Sequence, residues 1–136
     1  MFFKKIDHVG IVVRDLAKAV NAYSVGLNFS TGEIVEIPDV KLRVAVMQVG
    51  GIGIELLEYG DPGIPVAALL GAKQAGLNHV CYEVDNIGEA IEELTSSQLF
   101  KLVPGFPRKG VRGTIAFLIP LHNDGERIEI LEVDHG

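Results

Sequence analysis

Cysteine, tryptophan and long apolar runs are what this chain has least of: one Cys, no Trp and two Met in 136 residues. The single Cys81 excludes an intrachain disulfide framework, and its apolar neighbours point to a buried thiol in a reducing compartment. No apolar run approaches the roughly 18 residues of a membrane span, and the first five residues are too short a stretch before Asp7 to serve as a signal peptide. Positive charge is also scarce. Twelve Lys and Arg against eighteen Asp and Glu leave a formal net charge of -6, which gives no general attraction for nucleic acid or anionic lipid. The expectation is one cytoplasmic domain over residues 1–136, acting on a small molecule, with no nucleic-acid or membrane partner.

What the chain does have is an internal repeat. Residues 6–23, IDHVGIVVRDLAKAVNAY, lie over residues 77–94, LNHVCYEVDNIGEAIEEL, without a gap. His8 falls on His79, Val9 on Val80, Val13 on Val84 and Ala19 on Ala90. VAVM at 44–47 matches IAFL at 115–118 at the same offset of 71, and IELLE at 54–58 matches IEILE at 128–132 at 74. The same order of segments at nearly constant spacing argues against chance, so the chain is two tandem modules, about 6–59 and 77–133, joined by a connector at about 60–76.

Each module reads as strand, helix and three strands. Residues 6–13 are apolar and β-branched, and 15–25 place Leu16, Ala19, Val20 and Tyr23 at helical spacing behind Asp15 as a cap. Asn86 and Glu89 form the corresponding capping pair before Ile87, Ala90, Ile91 and Leu94. Gly26 is expected to end the first helix. Residues 29–37, 41–49 and 52–59 read as antiparallel strands with Gly50 and Gly51 as a tight turn, and 99–103, 113–119 and 126–133 as their counterparts, with Asn123, Asp124 and Gly125 turning between the last two. A short helix over 65–70 is expected in the connector.

The repeat also pairs chemistry. His8 matches His79 and Glu55 matches Glu129, so a pseudo-twofold arrangement would bring two imidazoles and two carboxylates toward one axis. Glu55 and Glu129 stand among apolar residues of the last strand of each module, where a buried charge needs compensation. Two imidazole nitrogens and two carboxylate oxygens suit one divalent ion, Zn, Ni, Co, Mn or Fe, without choosing among them. The bland reading is an inherited polar pair facing solvent. His122 and His135 have no repeat partner and read as solvated, as do Glu58 and Glu132 near their strand ends. The loop PGFPRKGVRG offers Arg108, Lys109 and Arg112 either to a substrate's phosphates or simply to solvent.

These residues resemble the vicinal oxygen chelate superfamily of glyoxalase I, extradiol dioxygenases and bleomycin-resistance proteins. The resemblance spans nearly the whole chain and looks most like its methylmalonyl-CoA epimerase branch, especially around IELLE and GLNHVCYEVDNI. It implies an α+β fold in which two βαβββ modules form a cupped mixed sheet around a metal site. His8, Glu55, His79 and Glu129 fall on the ligand positions, with Glu129 and Glu55 as the catalytic acid–base residues. It further implies an acyl-CoA thioester substrate and a homodimer. Two departures stand out: Ile119, Pro120 and Leu121 replace the branch's His-Pro-Lys, and residues 42–49 contain no acid where some epimerases carry one. A glyoxalase-type lactoylglutathione lyase shares the ligand set and is the alternative activity, and a non-catalytic binding protein is the alternative class.

Overall fold

The computed structural model describes residues 3–122 and 125–134. Asn123 and Asp124 of the expected turn and His135 of the tail lie outside them. Contacts divide the chain into two units, His8–Asn78 and Met1–Asp7 with His79–Gly136, so the first strand is shared between them. No helix among the described residues is long and apolar enough to cross a membrane.

The first unit contains β1 (Phe3–Val12) from His8 onward, α1 (Leu16–Asn21), β2 (Thr31–Ile37), β3 (Leu42–Val49), β4 (Ile52–Tyr59) and α2 (Pro65–Leu69). Its strands run in the order β2-β3-β4-β1. The hairpin between β3 and β4 follows from Gly50 and Gly51, whose φ angles of 57° and 87° fit a turn that twists with its strands. The last strand then lies parallel to the first, with Gly10 opposite Glu55 and Val12 opposite Leu57. Alternation of side chains divides the strands cleanly. Ala45, Met47 and Leu56 meet Leu16 of α1 on one face, and Val44, Leu57 and Val12 cluster on the other with Val66 of α2.

The expected first helix is shorter than its apolar spacing suggested. After α1 the backbone widens into a π-turn over Ala22–Gly26, and Tyr23 packs on Phe29 beyond it. Gly26 closes that turn, and Asp15 caps the helix by accepting from the Lys18 N–H at 3.0 Å.

The second unit contains β5 (Gly76–Val84) from His79 onward, α3 (Ile87–Ser96), β6 (Phe100–Leu102), β7 (Arg108–Lys109), β8 (Gly113–Pro120) and β9 (Arg127–Val133), in the order β5-β9-β8-β6 with β7 also on β8. Again the first and last strands are parallel, and Cys81 stands opposite Glu129. Val84, Ala116, Leu118 and Ile130 of the strands are buried, as are Ile87 and Ala90 of α3, whose cap Asn86 accepts from the Glu89 N–H at 2.9 Å. Cys81 is a fully buried thiol that takes part in no disulfide. Residues 3–7 belong with this unit: Phe3 sits edge-on to Tyr82, and Lys4 pairs with Glu83 at 3.7 Å. The fold class is α+β with mixed sheet, as the resemblance implied.

Candidate metal and acid–base site

In the first unit, His8 and Glu55 project from neighbouring parallel strands onto the same face, and His8 Nε2 lies 3.5 Å from Glu55 Oε1. The imidazole is sheltered and the carboxylate partly open, with side-chain exposures of 8% and 24%. The second unit repeats the arrangement. His79 Nε2 lies 3.2 Å from Glu129 Oε1, with exposures of 3% and 8%. All four residues are metal-ligating types, and His8, His79 and Glu129 are buried. Within each unit the structure brings the expected pair together.

The surroundings of the two pairs differ on both sides of the glutamate: Gly10 of β1 stands opposite Glu55 where Cys81 of β5 stands opposite Glu129, and the antiparallel neighbours differ too. Opposite Glu55 on β3 stands Val46, and opposite Glu129 on β8 stands Phe117, its equivalent in the repeat. The Phe117 ring lies perpendicular to the His79 imidazole, centroids 5.2 Å apart at 87°. Phe106, a buried residue of the loop between β6 and β7, lies 5.4 Å from Phe117 on its other side. Arg108 lies over Phe106 at 5.2 Å.

That loop's cations are engaged within the chain. Lys109 pairs with Asp134 and Arg112 with Asp7, while Arg108 has Phe106. The Asp7 hydrogen bond is the main cause that raises the Arg112 pKa above its ordinary value, against the opposing effect of burial. Asp7 is itself buried, one residue before His8. Its repeat equivalent Asn78, one residue before His79, is also buried and donates to the Leu70 carbonyl at 3.0 Å. Each thus ties a long loop down beside a candidate ligand. Sequence reasoning passed over both, although the repeat aligns Asp7 with Asn78 just as it aligns the histidines.

Glu58 and Glu132 correct an expectation. Read as solvated, they are half-buried, because a residue three places beyond Glu55 or Glu129 faces the opposite side of its strand, toward the helix. Glu58 Oε2 accepts the Leu16 N–H at 2.8 Å, and Glu132 Oε1 accepts the Ile87 N–H at 2.8 Å. With Asp15 and Asn86 they satisfy two otherwise unpaired N–H groups at the start of each helix. His122 is solvent-exposed as expected and lies 3.2 Å from Glu126. A cavity of about 380 Å³ near Leu16, Val20, Ile34 and Arg43 lies on the helix side of the first sheet, away from Glu55.

Residues 7–117 match the Glyoxalase/Bleomycin resistance protein/Dioxygenase superfamily. An uncharacterized protein of Bacillus subtilis, YqjC, is 34% identical over 131 residues, covering 94% of this chain and 91% of its own. The ethylmalonyl-CoA/methylmalonyl-CoA epimerase of Cereibacter sphaeroides is 32% identical over 131 residues, covering 95% and 98%. The crystal structure of methylmalonyl-CoA epimerase from Mycobacterium tuberculosis superposes with a TM-score of 0.80 at 26% identity, over 97% of this chain and 89% of that one. The paired modules, the recurring His–Glu pairs and these matches agree: the chain belongs to the glyoxalase/bleomycin resistance/dioxygenase superfamily.

Proposed function

We propose that the protein is a metal-dependent epimerase that moves the proton next to the carbonyl of an acyl-CoA thioester, with methylmalonyl-CoA as substrate. The observation that carries this reading is the recurrence of one His–Glu pair at matching places in both modules. The chain's likeness to proteins named as methylmalonyl-CoA epimerases supports the choice of substrate. His8, Glu55, His79 and Glu129 would together hold one divalent ion. The donor set fits, since each pair offers an imidazole nitrogen and a carboxylate oxygen close enough to share one cation.

When bound, the ion supplies Lewis-acid polarisation of the substrate carbonyl. Glu129 acts as one base, taking the neighbouring proton onto a carboxylate oxygen in a setting that excludes most water. Glu55 acts as the other. One carboxylate takes the proton from one face while the other, entering in its protonated form, donates its own proton to the opposite face, which inverts the stereocentre and exchanges their protonation states. The role falls to Glu55 within its unit because β3 presents Val44 and Val46 on the same face, and no acid.

Proton NMR of methylmalonyl-CoA in deuterium oxide with the metal-loaded protein tests this reading. The expected result is loss of the α-proton signal together with interconversion of the two epimers. A protein that holds its metal, leaves that proton in place and isomerises a methylglyoxal hemithioacetal is instead a glyoxalase-type lyase. One that turns over neither is a binding protein. The assembly we propose is a homodimer, since β2 and β6 each pair along one edge only among the described residues. A monomer by light scattering across micromolar concentrations contradicts it.

A further inference from the structure

We infer that Phe117 is a positioning residue: it fixes the plane of the His79 imidazole and keeps water from Glu129, making the second His–Glu pair the tighter half of the metal centre. This rests on the metal reading above and goes beyond it by assigning a role to a residue with no ligand chemistry of its own.

Two ring contacts, a strand register and a backbone hydrogen bond place this residue. Phe117 stands directly across β8 and β9 from Glu129, so its side chain leaves the same face of the sheet. It meets His79 in the perpendicular geometry that aromatic rings prefer, 5.2 Å between centroids. From the other side the buried Phe106 ring holds it at 5.4 Å, and the Phe117 carbonyl accepts the Val103 N–H at 2.9 Å, anchoring the loop that carries Phe106. Phe117 therefore has little freedom to turn, and a ring packed edge-to-face against it has little either. A histidine ligates along the direction of its ring nitrogen, so an imidazole held in one plane presents Nε2 without a further ordering cost.

The first module supplies the internal control. Its repeat equivalent is Val46, which is aliphatic and too short to reach over an imidazole, and there the His–Glu distance is 3.5 Å rather than 3.2 Å. Its carboxylate is also the more exposed, 24% against 8%. The pairs are otherwise built on the same strand positions.

The experiment compares Phe117→Val, which copies the first module, with Phe117→Tyr, which keeps the ring, and with the unsubstituted protein. Cobalt(II) affinity is measured by titration and the visible absorption of the bound ion recorded. In the metal-free protein, the ring-current shift of the His79 side-chain protons is read by NMR. Phe117→Val is expected to lose that shift, bind cobalt about tenfold more weakly and change its absorption, while Phe117→Tyr restores all three. Phe106→Leu, which removes only the supporting ring, should show the same changes at about a third of that size. Cobalt binding unchanged within twofold in folded Phe117→Val, with an unaltered spectrum, overturns the inference and leaves the metal reading standing. If the unsubstituted protein takes up no divalent ion, the metal reading falls, and the role assigned to Phe117 in that centre falls with it; an intact ring-current shift then shows that the ring contact itself is not at fault.

Discussion

The two modules solve the same problem with different packing. Both place a histidine on the first strand and a glutamate on the last, join those strands in parallel and seat a helix over the opposite face. The first module lines its pair with valines, and the second with phenylalanines. Where the repeat puts Leu42 opposite Tyr59, it later puts Gly113 opposite Val133. The ligand chemistry was kept in both copies while the shelter around it diverged, so the second pair is the better protected and the first the more open.

Removing ligands sharpens that contrast most. His8→Ala, His79→Ala and Glu129→Ala should each lower divalent-metal affinity by on the order of a hundredfold or more, and Glu55→Ala by less, because water can more readily replace a partly exposed donor. Titration with cobalt or zinc gives the order directly. Equal losses across all four would show that exposure does not distinguish the modules.

Gly113→Ala should be the most damaging substitution for stability outside the ligands. A Cβ there would sit 2.1 Å from the Glu132 carbonyl oxygen and 2.9 Å from the Val133 Cα, so β8 and β9 must part at that end. A loss of about 3 kcal/mol is expected in denaturant unfolding, at the upper end for overpacking. At the equivalent first-module position Leu42 is a buried core residue, and Leu42→Ala should cost about as much for the opposite reason, a cavity. A neutral Gly113→Ala would mean that the two strands are looser than their register implies.

Much of this architecture was legible in the sequence, for physical reasons that can be traced to particular residues. Gly50 and Gly51 mark a hairpin because few other residues tolerate two successive positive φ angles. Asp15 and Asn86 mark helix starts because a short polar side chain reaches back to a free N–H. The His–Glu pairs surfaced because the repeat doubled a weak signal. Tertiary partners were harder. The parallel seating of β4 on β1 depends on which edge is free, and the two-residue β7 is held by its pairing with β8 rather than by its own composition. Phe117 reads as one more apolar residue of β8 until its neighbours are known. The inward roles of Asp7 and Asn78 likewise depend on loops distant in sequence.

Those two tethers offer the next test. Arg112→Ala removes a charged partner from the buried Asp7 carboxylate and should cost about 2 kcal/mol, less than a fully buried pair because half of the Arg112 side chain is in water. Asn78→Ala removes a neutral hydrogen bond to Leu70 and should cost about 1 kcal/mol. The raised Arg112 pKa sets the sign with pH. A group whose pKa rises on folding contributes its full stability below its unfolded value and loses it only as pH climbs through the folded one. For an arginine both lie far above neutrality, so the difference between Arg112→Ala and the parent should stay level on its account over roughly pH 6 to 10. A difference that shrinks steadily as pH rises across that range would point to another group.

The smallest expected effect concerns the carboxylates that tie each helix to the strand bearing a ligand. Glu132→Gln keeps an oxygen to accept the Ile87 N–H but removes the negative charge beside the helix N-terminus, whereas Glu132→Ala removes both. Losses of about 0.5 and about 1.5 kcal/mol follow, and thermal melts resolve them. In the first module Glu58 also lies 3.6 Å from Arg43, an exposed contact that salt screens, so Glu58→Gln should lose slightly more than Glu132→Gln at low ionic strength and the same at high. Because each of these residues lies three positions beyond a candidate ligand, on the far face of the same strand, losing the tether frees the helix before it moves the ligand. Metal affinity should therefore change less than twofold in either variant while the melting temperature falls. A large loss of metal binding in Glu132→Gln would show that the helix start and the metal centre are coupled through β9, and the two faces of that strand could no longer be treated as independent.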